Sequence, residues 1–293
     1  YDAYNRKVPA LPDHRFFGRK RLQAEYPAFD PGIIAAGLYY EGRVSHAERL
    51  GLELVMDGLA ANPGSALRTY CTAAPAGDGR LRLADGLTGE SCEVSAGIII
   101  NAGGAWIDKV NAALGINSRH MGGSKGSHLI LASRTLHDAL AGRMIYFGTA
   151  DGRVNLVYPF FGNVLVGSTD IPVKDPDEAI CSTGETDYLL GVVREVFPGI
   201  TLRREEILLT YCGVRPLPRA EGVDIGAESR DHAVVVDRLP GGQPVLSLIG
   251  GKWTTFRAFS EQVADRVLGL VGKARSVSTE DLPIGGGRGF PAT

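Results

Sequence analysis

The stretch AGIIINAGGAWI, residues 96–107, is a short β-branched apolar run that ends on Asn101 and breaks on the glycine pair Gly103 and Gly104. A run of this length bounded by turn residues reads as a buried strand, and the apolar positions that follow over 105–114 recur at helical spacing. Strand, glycine turn and helix together form an α/β unit, in which backbone can approach a bound group closely. Polar and glycine interruptions keep the stretch well short of the ~20 apolar residues that span a bilayer.

Upstream, a loop-rich start leads to a strand over 35–41 and a helix over 45–61. Ser45 is the expected N-cap of that helix, and Leu50, Leu52, Leu54, Val55 and Leu59 form its stripe. Strands over 67–73 and 80–83 then join through AGDG as a hairpin. Downstream the pattern turns to strands at 127–132, 144–150, 154–160 and 163–170. The turns at Asp151-Gly152 and Phe161-Gly162-Asn163 make these a largely antiparallel sheet. A helix over 185–197 stops at Pro198-Gly199 and feeds a strand over 207–211. Strands at 232–237 and 245–249 precede a helix over 254–271 whose stripe is Phe256, Phe259, Val263, Val267, Leu270 and Val271. The tail PIGGGRGFPAT reads as a linker.

With 293 residues, 44% of them hydrophobic, the chain can bury the core of one large or two interleaved domains. A net charge of −2 does not suit a nucleic-acid partner. Residues 1–20 carry no apolar core of the signal-peptide kind, and Cys71, Cys92, Cys181 and Cys212 show no CxxC pairing. Both features point to reduced thiols and a cytoplasmic setting. The histidines lack HxxxH and HxH spacing, so no metal site is expected, and no GxSxG elbow supports hydrolase chemistry.

GGSKGSH at 122–128 lacks phosphate-loop spacing, and no GxGxxG is present anywhere. Three cations, Arg215, Arg230 and Lys252, stand on turns at strand ends. Singly, each would be expected to pair with neighbours; together they suit an anion clamp. His128 alternates with Leu129 on a strand, which leaves a core role and a catalytic role both open. In GGKWTTFR, residues 250–257, two glycines admit something bulky and the helix N-terminus favours an electron-rich partner.

These pieces resemble the FAD-dependent glycerol-3-phosphate dehydrogenase family, a branch of the glycine-oxidase-like flavoproteins. The matching segments are collinear over residues 96–271: IIINAGGAWIDKV (98–110), KGSHLIL (125–131), DGRVNLVYPF (151–160), LVGSTD (165–170), DYLLGVV (187–193), YCGVRPL (211–217), SRDH (229–232) and GGKWTTFR (250–257). The resemblance implies a mixed α/β fold of the FAD-dependent oxidoreductase type. An antiparallel-sheet substrate domain (1–42 and 116–228) interleaves with the remainder of an FAD-binding domain (43–115 and 229–275), and 276–293 is a linker. It further implies that Arg215 and Lys252 hold the substrate phosphate, that Arg230 lies at the substrate hydroxyls, and that His128 is the proton acceptor. Asn101, Ala102 and Gly103, with Gly251, Lys252, Thr254 and Thr255, would line the FAD.

The implied reaction is oxidation of sn-glycerol 3-phosphate to dihydroxyacetone phosphate by hydride transfer to flavin N5, with electrons passed to quinone by a peripherally membrane-associated enzyme. The family also has an N-terminal GxGxxG unit and a C-terminal helical domain that these residues do not match. The expectation is therefore an internal portion of a longer enzyme, inactive and flavin-free alone and prone to self-association through an exposed sheet edge. Two alternatives stand beside it. One is an amino-acid or hydroxy-acid oxidoreductase of the same class, whose carboxylate substrate needs a single arginine. The other is a non-catalytic binding subunit.

Overall fold

The structure is a computed structural model that describes residues 11–77, 79–149, 151–219 and 231–290. The chain divides into two compact units, one made of 1–43 and 124–215, the other of 44–123 and 216–293. In chain order, β1 (Arg15–Gly18), α1 (Arg19–Glu25) and β2 (Ala35–Leu38) begin the first unit. The second unit then contributes α2 (Ala47–Ala61), β3 (Cys71–Gly77), β4 (Arg80–Asp85), β5 (Ser91–Ser95), β6 (Ile99–Asn101) and α3 (Ile107–Ala113). The chain returns to the first unit with β7 (Ser124–Leu131), α4 (Arg134–Ala139), β8 (Ile145–Gly148), β9 (Val154–Phe160), β10 (Asn163–Gly167), β11 (Ile171–Pro172), α5 (Thr183–Val196) and β12 (Ile207–Arg215). It ends in the second with β13 (Ala233–Arg238), β14 (Pro244–Ile249) and α6 (Phe256–Leu270).

The first unit is built on a six-stranded antiparallel sheet of order β11-β7-β10-β9-β8, with β12 paired along the opposite edge of β7. Alternation along β7 sends Leu129 and Leu131 into a core with Val157, Val164 and Val166 from neighbouring strands. Helix α5 covers that face with Leu189, Val193 and Val196, each buried. Phe197 follows at the helix end, fully buried and edge-on to Phe29 at 5.2 Å. Side chains of this size each contribute roughly 1.5–3 kcal/mol on burial, so this face supplies most of the drive to fold the unit. Ser182 caps α5 in a capping box with Glu185, and Asp30 N–H donates to the Val196 carbonyl at its far end.

In the second unit β14 lies between β13, antiparallel, and β6, parallel. A central strand is covered on both faces, which is why PVLSLI reads as a near-continuous apolar run; Val245, Leu246 and Ser247 are all fully buried. The single polar residue, Ser247, meets a buried amide network. Asn111 Nδ2 donates to Ser247 Oγ and Ser118 Oγ, both at 3.0 Å, and Asn111 Oδ1 accepts from Asn101 Nδ2 at 2.8 Å. A separate three-stranded meander, β3-β4-β5, completes this unit's sheets.

Several expectations are revised. The N-terminal stretch is not all loop: β1 pairs with β2, and α1 buries Leu22. Ser45 does not cap α2; His46 holds the cap position and gives the helix no side-chain cap, and Ser45 Oγ lies 2.9 Å from His46 Nδ1. The strand expected at 67–73 forms at Cys71–Gly77, while β5 and α4 went unread. Residues 116–123 stay with the second unit because Asp108 Oδ1 accepts from Ser118 Oγ (2.6 Å) and His120 N–H (2.9 Å), and Oδ2 from Met121 N–H (2.9 Å). The crossovers therefore fall at 123/124 and 215/216.

The stretch from residue 276 is no free tether up to residue 290. Glu261 on α6 accepts from Thr279 Oγ1 (2.9 Å) and Ser278 Oγ (3.1 Å), Arg257 Nη2 donates to the Leu282 carbonyl (3.0 Å), and Arg288 pairs with Asp57.

Asn111→Ala should lower stability by on the order of 2–3 kcal/mol, since it strips partners from two buried polar side chains and leaves a cavity. Chemical denaturation followed by circular dichroism measures this. An unchanged midpoint would show that the amide network adds nothing to the fold.

Candidate functional site

The face of β7 turned away from the α5 core carries Ser124, Gly126 and His128. Register puts Arg215 opposite Ser124, Gly213 opposite Gly126 and Tyr211 opposite His128. Two facing glycines leave a bare patch of backbone between the polar pair and the aromatic pair, and the Arg215 guanidinium lies over it. A Cβ on Gly126 would collide with Nη1 and Nη2 of Arg215. Gly167 on the other side of β7 plays the same part for His128, whose ring occupies the space a Cβ there would fill.

Arg215 is the last residue of β12 and is followed by Pro216, so its backbone is fixed where the sheet ends. Both terminal nitrogens of its fork are engaged. Nη1 donates to Asp170 Oδ1 at 3.1 Å and Ser124 Oγ at 3.3 Å; Nη2 donates to Ser168 Oγ at 2.9 Å and the Thr169 carbonyl at 3.0 Å. The arginine is thereby oriented by Ser124 and by the tripeptide Ser168 to Asp170.

His128 stacks flat on Tyr211, with ring centroids 4.9 Å apart and planes within 10°. Its Nδ1 is buried without a hydrogen-bond partner. Burial first, and then the positive charge of Arg215, lower its pKa from 6.5 to about 4, against a smaller opposing effect of the Gly126 backbone. The ring is neutral at physiological pH and has a free lone pair or a free N–H according to tautomer.

On the opposite face of β7 the same strand carries Lys125 and Ser127. Both donate to Glu185, at 2.6 Å from Lys125 Nζ and 2.7 Å from Ser127 Oγ, and Thr169 Oγ1 donates to it at 2.8 Å. Desolvation would push this carboxyl up, yet these donors together outweigh it and bring the pKa down to about 2.

The second unit holds the other candidates. Gly250 and Gly251 follow β14 at φ of 73° and 93°, a backbone that glycine adopts without strain. A Cβ on Gly250 would come within 2.5 Å of the Asp231 carbonyl. Lys252, Trp253 and Thr254 are exposed. Thr255 takes the N-cap position of α6 but gives the helix no side-chain cap. Its hydroxyl accepts from Lys252 N–H (3.1 Å) and donates back to the Lys252 carbonyl (3.2 Å). The first-turn N–H groups of a 15-residue helix thus keep their positive end uncapped by side chains.

Asn101, expected to line a cofactor, is buried. Its side chain donates to Asn111 Oδ1 and to the Ile107 carbonyl (3.0 Å) and accepts from Gly103 N–H (3.1 Å), so it braces the turn at Ala102 and Gly103 from within.

The structure thus brings Arg215 and His128 onto one sheet face of the first unit, while Lys252, Gly251, Thr254 and Thr255 share one turn of the second, where Asn101 ends β6 and Ala102 and Gly103 follow it. Arg230 lies outside the described residues. Sequence reasoning missed Tyr211, Ser168, Asp170 and Glu185. Tyr211 was legible in principle, since it alternates with Gly213 and Arg215 on one strand; the others meet their partners only across the sheet. Among the described residues no group of three or more histidine, cysteine, aspartate or glutamate side chains could hold a metal ion, and no helix is long and apolar enough to cross a membrane.

Residues 2–257 match the family model for the FAD dependent oxidoreductases (DAO). A glycerol-3-phosphate dehydrogenase of Synechocystis is 31% identical over 300 residues, covering 96% of this chain and 54% of that protein. A D-erythritol 1-phosphate dehydrogenase of Brucella abortus is 34% identical over 205 residues, or 68% of this chain and 39% of that one. The chain spans about half the length of the curated relatives it matches.

Among solved structures, the FAD-complexed glycerol-3-phosphate dehydrogenase of Bacillus halodurans superposes with a TM-score of 0.73 at 21% identity, over 95% of this chain and 56% of that one. Glycine oxidase of Geobacillus kaustophilus gives 0.55 at 17%, over 95% and 68%. Both share its mixed α/β fold. With a family match running from residue 2 to residue 257 and that fold beneath it, the chain belongs to the FAD-dependent oxidoreductase family.

Proposed function

We propose that the protein to which this chain belongs oxidises sn-glycerol 3-phosphate to dihydroxyacetone phosphate, and that the first unit binds the substrate while the second is the remainder of the flavin-binding domain. The observation that carries the reading is the Arg215 guanidinium, immobilised over bare glycine backbone on the same face as a neutral, stacked His128. A fixed, planar, permanently charged fork suits a phosphomonoester, and a neutral imidazole suits a substrate hydroxyl. The curated relatives from Synechocystis and Brucella are, by name, dehydrogenases of polyol phosphates, which favours this chemistry over an amino acid; the likeness to glycine oxidase is one of fold.

The residues present fit a flavin. Gly250 and Gly251 allow close backbone approach, and the side-chain-uncapped N-terminus of α6 presents N–H groups and a partial positive charge to an electron-rich ring edge. Gly251, Lys252, Thr254 and Thr255 would hold that edge, with Ala102 and Gly103 along the ring system and the Asn101 side chain bracing their turn. Bound there, FAD supplies the acceptor for the hydride leaving C2 of the substrate.

This chain's own residues do the rest. Arg215 and Lys252 each give a charge to the phosphate, Arg230 bonds the hydroxyls, and His128 takes the C2 hydroxyl proton on a ring nitrogen as the carbonyl forms. Tyr211 keeps the ring flat and excludes water from one face. Quinone as the final electron acceptor and peripheral attachment to a membrane belong to the same reading. Self-association of the isolated chain rests on β12 as the sheet edge, where Leu208 and Leu209 are exposed.

Arg215→Ala and Lys252→Ala in the complete enzyme should each raise KM for glycerol 3-phosphate by about 10- to 100-fold, the loss of one charge-assisted bond of ~1.5–3 kcal/mol. Oxidation of unphosphorylated glycerol should not change in Arg215→Ala. Wild-type kinetics in either variant would remove that residue from the phosphate site.

The histidine makes a pH prediction. Its folded pKa of about 4 lies below the unfolded 6.5, so between those values the unfolded chain binds the extra proton. The contribution of His128 to stability should therefore fall as pH drops from 6.5 to 4 and level off below. His128→Gln should abolish this dependence and slow turnover by ~10²–10⁴-fold. Imidazole titration by NMR checks the midpoint; a value near 6.5 would contradict both the burial and the proposed role.

A further inference from the structure

Glu185 is buried, and its two oxygens are used differently. Oε2 accepts from Ser182 N–H (2.9 Å), Ser182 Oγ (2.8 Å) and Lys125 Nζ (2.6 Å), which satisfies the helix cap and the ion pair. Oε1 is left over from both tasks and, among the described residues, accepts from Ser127 Oγ (2.7 Å) and Thr169 Oγ1 (2.8 Å). Thr169 Oγ1 in turn accepts from Ser127 N–H at 2.9 Å, which clips residue 169 to strand β7. The Thr169 carbonyl faces the other way and accepts from Arg215 Nη2 at 3.0 Å, flanked by Ser168 Oγ and Asp170 Oδ1 on the same guanidinium. A cap and a counter-ion for Lys125 would need one oxygen; the second oxygen serves Ser127 on β7 and, through Thr169, the segment that orients the arginine.

We propose that Glu185 is a positioning residue for the anion site: through Thr169 it fixes the tripeptide 168–170 and so the direction in which the Arg215 fork points. The inference rests on the reading that Arg215 grips the substrate phosphate. Loss of the Glu185–Thr169 bond leaves the arginine charged and present but its tripeptide less firmly held, so it weakens binding of the phosphomonoester without touching the step at C2. A carboxylate surrounded by fixed donors is also a stiff anchor, because moving it would strip several charge-assisted bonds at once.

The test uses the complete, flavin-loaded enzyme with Thr169→Val, which removes the hydroxyl and spares the cap and the Lys125–Glu185 pair. Expected are a rise in KM for glycerol 3-phosphate of about tenfold with kcat within about twofold, unchanged kcat/KM for unphosphorylated glycerol, and recovery in Thr169→Ser. In an Arg215→Ala background the same change should add nothing further to KM, the non-additivity of residues that act through one another. If Thr169→Val does not fold, Glu185→Gln is read in the same way, with its melting temperature recorded beside KM.

A KM effect in Arg215→Ala but none in Thr169→Val, or an effect of equal size in the Arg215→Ala background, overturns the positioning role while leaving the phosphate reading intact. No KM effect in Arg215→Ala overturns the phosphate reading and this inference with it.

Discussion

A strand has two faces, and β7 has to serve a different purpose on each. Leu129 and Leu131 anchor it in the apolar core under α5, while Gly126 and His128, one residue out of phase, stand on the functional face. A slip of one residue in its pairing would send the histidine into the core and the leucines into the site, so the register that stabilises the unit also aims its chemistry. The Glu185 cluster strengthens this register at the point where core and site meet, since Lys125 and Ser127 are tied to the start of α5. Stability and function here are two consequences of the same periodicity.

Elements whose logic is local could be read from the sequence. The period-two run of β7, the central apolar run of β14 and the helical stripe of α6 each fall close to where they were expected, and the glycines at 250 and 251 do mark a turn at positive φ. What escaped was set by distant partners. Strand β1 exists because β2 pairs with it, and nothing in RFFG announces a strand without AAGL. Ser45 satisfies every local rule for an N-cap and loses to a bond with the adjacent histidine ring. The stretch after residue 276 resembled a tether by composition, and Glu261, Arg257 and Asp57 hold it nonetheless.

The candidate site divides in the same way. Arg215 could be singled out because a Pro after it fixes the backbone, but the residues that orient it, Ser124, Ser168 and Asp170, lie 45 to 91 positions away. His128 left two readings open in the sequence. The structure gives it features of each, a ring largely removed from water yet with an unsatisfied nitrogen, which is how a group of shifted basicity is made. Asn101 differs: its expected place beside the cofactor came from the resemblance, and the structure adds that its side chain braces the turn.

The alternation of the two units along the chain bears on how the protein is made. The first unit has its last strand, β12, once residue 215 has been synthesised, whereas β6 at residues 99–101 finds its partner β14 only after residue 249. Until then a ribosome-bound chain carries an apolar parallel strand with no neighbour along that edge, and loop closure over some 145 residues makes the pairing slow. The second unit therefore cannot close this sheet until the last strand of the first has been made.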